Sequence, residues 1–398
     1  MIKTFDVCII GGSLAGNYLS YLLSHTSLQV AVIEEHEKIG QPLQCAGIIS
    51  QKLTKLINIP SEIILNRVTT ARVVSPSGKY IDLAGEEKPY IIDRVALDKY
   101  YYKKAKTSEN ITYFLGEKYK QFAYKEPNGQ SNVIITTSKR KISTKLLVGC
   151  DGPFSAVARD MGIKNRNIYA SQIRIEMQFS EDQALMYFDP HWKELFGWVV
   201  PEGNGICRVG LASAENPAEN FRRFLKILSI NPEKQIDKQG GAIPYGLMNQ
   251  CAFDRVLLIG DSAGQVKATT GGGIIMLLTA AKIAALCIKK CFKQQNFSEN
   301  FIRNHYENLC RASLGKELKL HYLIRIIFEQ FNESDFDTFF QIIKSTNIEN
   351  IISLYGDMDF PRQLVIKLLS NSHVIRFLLS FLGRNPFLIF KLIGILKS

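Results

Sequence analysis

Several protein classes are excluded by what this sequence lacks. In its 398 residues there is no run of about 18 uncharged apolar residues, so no ordinary transmembrane helix is expected. Met1 leads almost directly into a strand pattern, and no secretory signal peptide is expected. The eight cysteines (8, 45, 150, 207, 251, 287, 291 and 310) have neither zinc-ligand nor iron–sulfur spacing. No metal site is therefore expected, and Cys287 and Cys291, four apart on one predicted helix, read as packing. Scattered thiols fit a reducing cytosol. The six histidines form no arrangement suited to a base or a metal. Internal repeats and low-complexity tracts are missing, as is any recognisable nucleic-acid-binding motif. The net charge of +12 then points to a membrane surface or phosphorylated substrates rather than nucleic acid.

What is present begins at the N-terminus. Phe5 to Ile10 is a strand pattern, Gly11-Gly12-Ser13-Leu14-Ala15-Gly16 follows, and Asn17 to Ser24 reads as a helix. Val30 to Ile33 is a second strand with Glu34 and Glu35 at its carboxyl end. Strand, glycine turn, helix, strand and acidic residue make up the dinucleotide-binding fingerprint. Gly11 permits the tight turn, Gly16 lets helix and strand pack closely, and Glu34 can accept bonds from ribose hydroxyls. Ser13 stands where a second glycine is usual, so a pyrophosphate there must tolerate a small side chain.

A second strand–turn–helix unit lies two-thirds of the way along. Val256 to Ile259 reads as a buried parallel strand, ended by Gly260 and Asp261, and Ile274 to Cys287 is a helical pattern rich in Ala and Leu. Gly271, Gly272 and Gly273 strip that helix's N-terminus of side chains, so its N–H groups can approach an anion or a flat ring. The plainer reading is a mobile glycine loop between core elements. Elsewhere, Gln41 to Ser50 is expected as a loop, Arg67 to Leu83 as a hairpin about Ser75 to Gly78, and Val95 to Lys106 as a helix. Leu147 to Gly152 is a strand ending in a turn at Asp151, with a short helix after it. Gln172 to Leu211 is a run of strands. From about Phe301 the pattern is helical and irregularly amphipathic.

The N-terminal fingerprint, the Asp151-Gly152 turn and Gly260-Asp261 together resemble the flavoprotein fold of aromatic hydroxylases. Gly260 to Ile274, Cys45 in the loop after Gly40, and Phe196-x-Trp198-x-x-Pro201 are similar to motifs of the geranylgeranyl reductase family. The resemblance covers roughly residues 1 to 310. It departs from the family at Ala268, where proline is common, at Val200, where the family has phenylalanine, and in the order Cys45-Ala46-Gly47. It implies an α/β fold: a Rossmann-like FAD-binding domain (1–66, 90–165 and 250–300), an inserted antiparallel-sheet substrate domain (67–89 and 166–249) and a helical C-terminal region (301–398).

The resemblance also implies FAD as cofactor and reduction of isoprenoid carbon–carbon double bonds. Glu34 would hold the adenosine ribose, Arg94 would sit near the phosphates or ribityl chain, and Asp261 near the ribityl chain. Gly271 to Gly273 and Ile274 would lie against the isoalloxazine, and Cys45, Ala46 and Gly47 near the flavin. For Arg94 the plainer reading is a surface ion pair with Asp93 or Asp98. Cys45 is a candidate proton donor or a structural thiol. Phe196, Trp198 and Pro201 would line an apolar channel or simply pack a sheet face. Implied partners are an isoprenoid or prenylated phospholipid and an electron donor such as NAD(P)H, reduced ferredoxin or a reduced deazaflavin. After Asp359 the chain has no acidic residue, while Arg362, Lys367, Arg376, Arg384, Lys391 and Lys397 are spread among Leu, Ile and Phe. That pattern predicts a cytoplasmic protein, peripheral on the inner membrane face, or a bundle packed on the flavin domain. Two rival functions share the fold: a flavin monooxygenase or halogenase of an aromatic substrate, and a membrane-docked electron carrier. The second usually calls for an iron–sulfur cysteine cluster.

Overall fold

The computed structural model describes residues 2–43, 45–85, 87–125 and 132–397. The strands Val256–Leu258, Lys141–Gly149, Lys3–Ile10, Val30–Ile33 and Ile111–Phe114 lie side by side in one sheet. All four pairings are parallel, and Ile10 stands level with both Gly149 and Ile33, as Gly149 does with Leu258. Val7 to Ile10 and Val30 to Ile33 are almost wholly buried, as continuous apolar strands covered on both faces must be. Helix Leu14–Ser24 packs against both Arg94–Lys106 and Ile274–Gln294. The first helix begins at Leu14 rather than Asn17, because Ser13 already has the extended backbone of an N-cap.

The expected second sheet has seven strands, in the order Gln235–Pro244, Asn167–Glu176, Ile206–Ser213, Gly197–Gly203, Gln183–Tyr187, Thr70–Val74 and Tyr80–Leu83. The hairpin expected about Ser75 to Gly78 supplies the last two strands. Its pairing with Gln183–Tyr187 is the one parallel contact in an otherwise antiparallel sheet. The expected loop before Ser50 ends in a short strand, Ile48–Ile49; Gln44 lies outside the described residues.

Three packing facts place the rest of the chain. The main core does not stop near residue 300: Ile302, Tyr306, Cys310, Leu314 and Leu318 belong to it. Tyr306 donates its hydroxyl proton to the Leu258 carbonyl at 2.6 Å, and Glu307 accepts from the Cys251 and Ala252 amides at 2.9 and 3.0 Å. The later helices form a separate phenylalanine-rich core, including Phe331, Phe336, Phe340, Phe377 and Phe381, that closes on Val73 and Ile81 of the second sheet. Among the described residues no single helix is long and apolar enough to cross a membrane.

Candidate cofactor and substrate site

The parallel register brings the turns after Ile10, Gly149 and Leu258, with Glu34 after Ile33, to one edge of the sheet. They touch. Gly11 has φ +104°, and a Cβ there would stand 2.3 Å from the Cys150 carbonyl oxygen. A Cβ on Gly16 would lie 1.9 Å from the Gly11 oxygen, so only glycine allows this approach of helix to strand. Glu34 accepts a hydrogen bond from the Gly12 amide at 2.6 Å and from the His36 amide at 2.9 Å. Ala15 faces Gly260, which joins the first unit to the second.

Two residues expected at the site are used elsewhere. Glu35 turns to the surface and pairs with Lys118 at 2.7 Å, because it follows Glu34 by one position and points the other way. Asp151 is a helix cap: its carboxylate accepts from Ser155 Oγ (2.6 Å) and from the amides of Ala156 (2.7 Å) and Val157 (3.1 Å). Gly152 is the half-exposed turn residue beside it, at φ +76°.

The glycine run is held from both sides. Gly260 donates its amide to Gln265 Oε1 at 2.7 Å, and Ser262 Oγ donates to the Gly149 carbonyl at 2.8 Å. From the helix Lys316–Phe328, buried Arg325 donates to the carbonyls of Ala268 (3.1 Å) and Thr269 (2.7 Å). His321, on the same helix face four residues earlier, bonds Thr269 Oγ1 and the Asp359 carbonyl. Lys267 forms a buried ion pair with Asp359 at 2.6 Å and donates to the Met358 carbonyl at 2.9 Å. None of these four was expected at the site. His321 and Arg325 carried one sequence signal, their helical i, i+4 spacing.

A cavity of about 490 Å³ opens against this run. One part of its lining is Gly271, Gly272, Gly273, Ile274, Asp261 and Arg94. Burial raises the Asp261 carboxyl to about 6, opposed by the Arg94 charge. Arg94 pairs with Asp98 at 2.6 Å; the partner is one the plainer reading named, but the pair is buried and at the cavity rather than on the surface. Burial disfavours the guanidinium charge, yet Asp98 and the Cys45 thiol more than offset it. Cys45, Ala46 and Gly47 line the cavity too, and Cys45 Sγ accepts from the Gly47 amide at 3.3 Å.

The cavity wall also contains Phe196, Trp198 and Val200. Trp198 and Val200 are two apart on the strand Gly197–Gly203 and so share a face, and Phe196, just before the strand, joins them at the cavity. Pro201 is out of phase with them and does not line the cavity, correcting its expected place; its carbonyl accepts from Asn66 Nδ2 at 3.0 Å. Trp198 donates Nε1–H to Gln172 Oε1 at 2.7 Å. Its indole lies over Gly210, its cross-strand partner, where a Cβ would come within 2.3 Å of the ring.

These features fit a bound FAD. The Gly11–Gly16 turn leaves bare backbone for a pyrophosphate, and the bare helix start at Gly271 to Gly273, with Gly271 at φ +66°, leaves a flat face for a ring. Asp261 offers a carboxyl facing the cavity. The FAD binding domain family matches residues 4–276. An uncharacterized protein of Methanocaldococcus jannaschii is 30% identical over 385 residues, covering 92% of this chain and 95% of that protein. Digeranylgeranylglycerophospholipid reductase 2 of Methanothermobacter thermautotrophicus is 28% identical over 390 residues, covering 91% and 98%. Among solved structures, the geranylgeranyl bacteriochlorophyll reductase-like protein Ta0516 of Thermoplasma acidophilum superposes with a TM-score of 0.80 at 20% identity, covering 96% of this chain and all (100%) of that one. The chain belongs to the FAD binding domain family and is an FAD-dependent oxidoreductase similar to geranylgeranyl reductases.

Proposed function

We propose that the protein saturates carbon–carbon double bonds in the geranylgeranyl chains of a membrane glycerophospholipid, working on the inner face of the cell membrane. The observation that carries this reading is the largely apolar cavity walled by Phe196, Trp198 and Val200 and lined also by the glycine run. Apolar side chains dominate that lining, as a prenyl chain requires, with Gln172, Gln239 and Glu87 among the polar exceptions. The similarity to enzymes named as digeranylgeranylglycerophospholipid reductases supports the same substrate class.

In this reading Gly11, Gly12, Ser13, Ala15 and Gly16 receive the pyrophosphate, and Glu34 the adenosine ribose. Arg94 and Asp261 flank the ribityl chain, and Gly271 to Gly273 and Ile274 lie along the ring. Reduced FAD, when bound, supplies a hydride. The protein's tasks are to exclude water, hold the alkene, and supply a proton to the other carbon. For the last of these the candidate is Cys45, whose place in the cavity lining supports the reading. Its thiol gives up a proton to the second alkene carbon, and solvent then restores the thiol. The electrons enter from an external donor: NAD(P)H, reduced ferredoxin or a reduced deazaflavin.

The test is to mix anaerobically reduced protein with digeranylgeranylglycerophospholipid and follow the lipid by mass. Each double bond saturated adds about two mass units. Cys45→Ala should slow the mass gain by about 100-fold while FAD stays bound. Flavin reoxidation by oxygen alone, with lipid mass unchanged, would overturn the reductase and favour a monooxygenase of aromatic compounds.

A further inference from the structure

We propose that the outer surface of the three C-terminal helices is a docking face for an anionic lipid bilayer, and that it sets the cavity rim at the bilayer so that a prenyl chain enters tail first. The proposal rests on the prenyl-lipid reading above.

The key element is the short helix Arg362–Leu369. Leu364 on one side of it lines the cavity, while Ile366 and Leu369 on the other are 57% and 49% exposed. One helix thus forms both the rim of the substrate cavity and an apolar patch facing outward. The patch continues. The next helix, Ser372–Arg384, turns through 90° and exposes Leu379 by 65%. The last, Pro386–Lys397, exposes Phe387 by 87% and Phe390 by 73%. Single exposed apolar residues need no explanation, but a contiguous set on successive helices marks an interaction surface. The inner faces of these helices are already occupied, since Phe377, Phe381 and Leu388 are buried in the phenylalanine-rich core. Ile366, Leu369, Leu379, Phe387 and Phe390 stand outside that core and are exposed.

Charge identifies the occupant. Arg362, Lys367, Arg376, Lys391 and Lys397 are interleaved with the patch, and no acidic residue follows Asp359. A further cation, Arg384, is tied to Asp335 at 2.7 Å. Aromatic and aliphatic side chains ringed by cations suit the boundary between acyl chains and anionic head groups. A protein partner would not call for cations alone. No single one of these helices is long enough to cross a bilayer, although Arg362–Leu369 and Ser372–Arg384 together have the length and composition of a bent span. Phe377 and Phe381 of the second are buried in the phenylalanine-rich core, which holds the pair against the protein and leaves its outer side for the bilayer surface. The helices are also fixed in direction, because their core closes on Val73 and Ile81 of the substrate sheet. The rim residues Gly85, Glu87, Gly356 and Leu364 line the cavity and still reach solvent. A lipid whose head group stays at the surface can then pass its tail between them toward the glycine run.

The test uses the full-length holoenzyme and the variant Leu379→Ser/Phe387→Ser/Phe390→Ser, whose changes are all at exposed positions. Flotation is measured with phosphatidylglycerol vesicles and phosphatidylcholine vesicles. The parent should float with the anionic vesicles and lose most of that binding in phosphatidylcholine. The variant should bind anionic vesicles at least tenfold more weakly, with FAD content and melting temperature unchanged. Reduction of digeranylgeranylglycerophospholipid embedded in anionic vesicles should fall at least tenfold in the variant, while its rate on the same lipid in detergent micelles equals the parent's. Equal flotation of parent and variant overturns the docking face. A shift from dimer to monomer in the variant, with flotation unchanged, overturns it in favour of self-association. Failure of both proteins to reduce the lipid in micelles defeats the reductase reading separately, since flotation is read without turnover.

Discussion

At the residue scale, the site turns on two glycines that fail for different reasons when changed. Gly16 is a backbone contact: a Cβ would stand 1.9 Å from the Gly11 oxygen, which nothing flexible can relieve. Gly16→Ala should therefore lower stability by about 1–3 kcal/mol and yield colourless protein. At Gly272 an added Cβ meets side chains rather than backbone: the far end of Lys267 at 3.0 Å and Thr270 Oγ1 at 3.2 Å. Gly272→Val should fold with a melting temperature close to the parent's yet lose flavin, because the flat face beside the ring is gone. Flavin absorbance per mole of protein together with thermal unfolding separates the two. Retention of full flavin by Gly272→Val would displace the ring from the glycine run.

His321 gives a pH signature. Burial lowers its pKa from an ordinary value of 6.5 to about 4, so the folded protein keeps the imidazole neutral where the unfolded chain takes up a proton. Stability from this group is present above pH 6.5 and is lost as pH falls toward 4, on the order of 3 kcal/mol across the window. Asp261, raised to about 6, acts with the opposite sign below pH 6: there the folded state holds the extra proton. His321→Gln should flatten the acid limb of the parent's stability curve, measured by urea unfolding between pH 4.5 and 7. An unchanged limb would show that His321 already titrates normally.

Much of this was legible in the sequence. Gly11, Gly16 and Glu34 act on neighbours in one local unit, and Gly271 to Gly273 announce their own bare backbone. His321 and Lys267 were not legible as site residues. Their partners are 52 and 92 positions away, and a single histidine or lysine carries no sign of such a contact.

At the scale of elements, the helix Lys316–Phe328 matters through what it holds. Arg325 stays buried and charged, its pKa lowered to about 10 by burial, because four carbonyl oxygens receive its protons: Ala268, Thr269, Lys193 and Leu195. It thereby joins the glycine run to the turn that leads into the Phe196–Trp198 wall. Arg325→Leu would leave those carbonyls buried without donors, at a cost of about 2–5 kcal/mol. Flavin should be released at a lower temperature than in the parent, as followed by the rise in flavin fluorescence on heating. The strand carrying Trp198 holds a simpler lesson. The two-residue period alone puts Trp198 and Val200 on one face and Pro201 on the other; a motif read as a block hid what the alternation states.

At the scale of the molecule, the two halves of the fold differed in how far they could be read. The nucleotide-binding sheet announces itself because its central strands carry continuous apolar runs, Val7 to Ile10, Val30 to Ile33 and Val256 to Ile259, two of which lead directly into a glycine. The chain beyond residue 301 reads only as helical, since its helices are apolar on an inner face that builds the phenylalanine-rich core and again on an outer face. Two apolar faces on one helix blur the single stripe by which a sequence tells inside from outside. The same blurring hid the fact that residues as far as Leu318 pack into the main core.

The clasp of Lys267 and Thr269 by Asp359, His321 and Arg325 has a consequence for how such proteins can be recombined. Lipid preference would most naturally be altered by exchanging the last third of the chain between relatives. Here that third brings its own half of five matched contacts, and the other half sits within four residues of the glycines. A chimaera joined anywhere between residues 270 and 320 inherits an unmatched clasp, unless positions 267, 269, 321, 325 and 359 travel together as one heritable set.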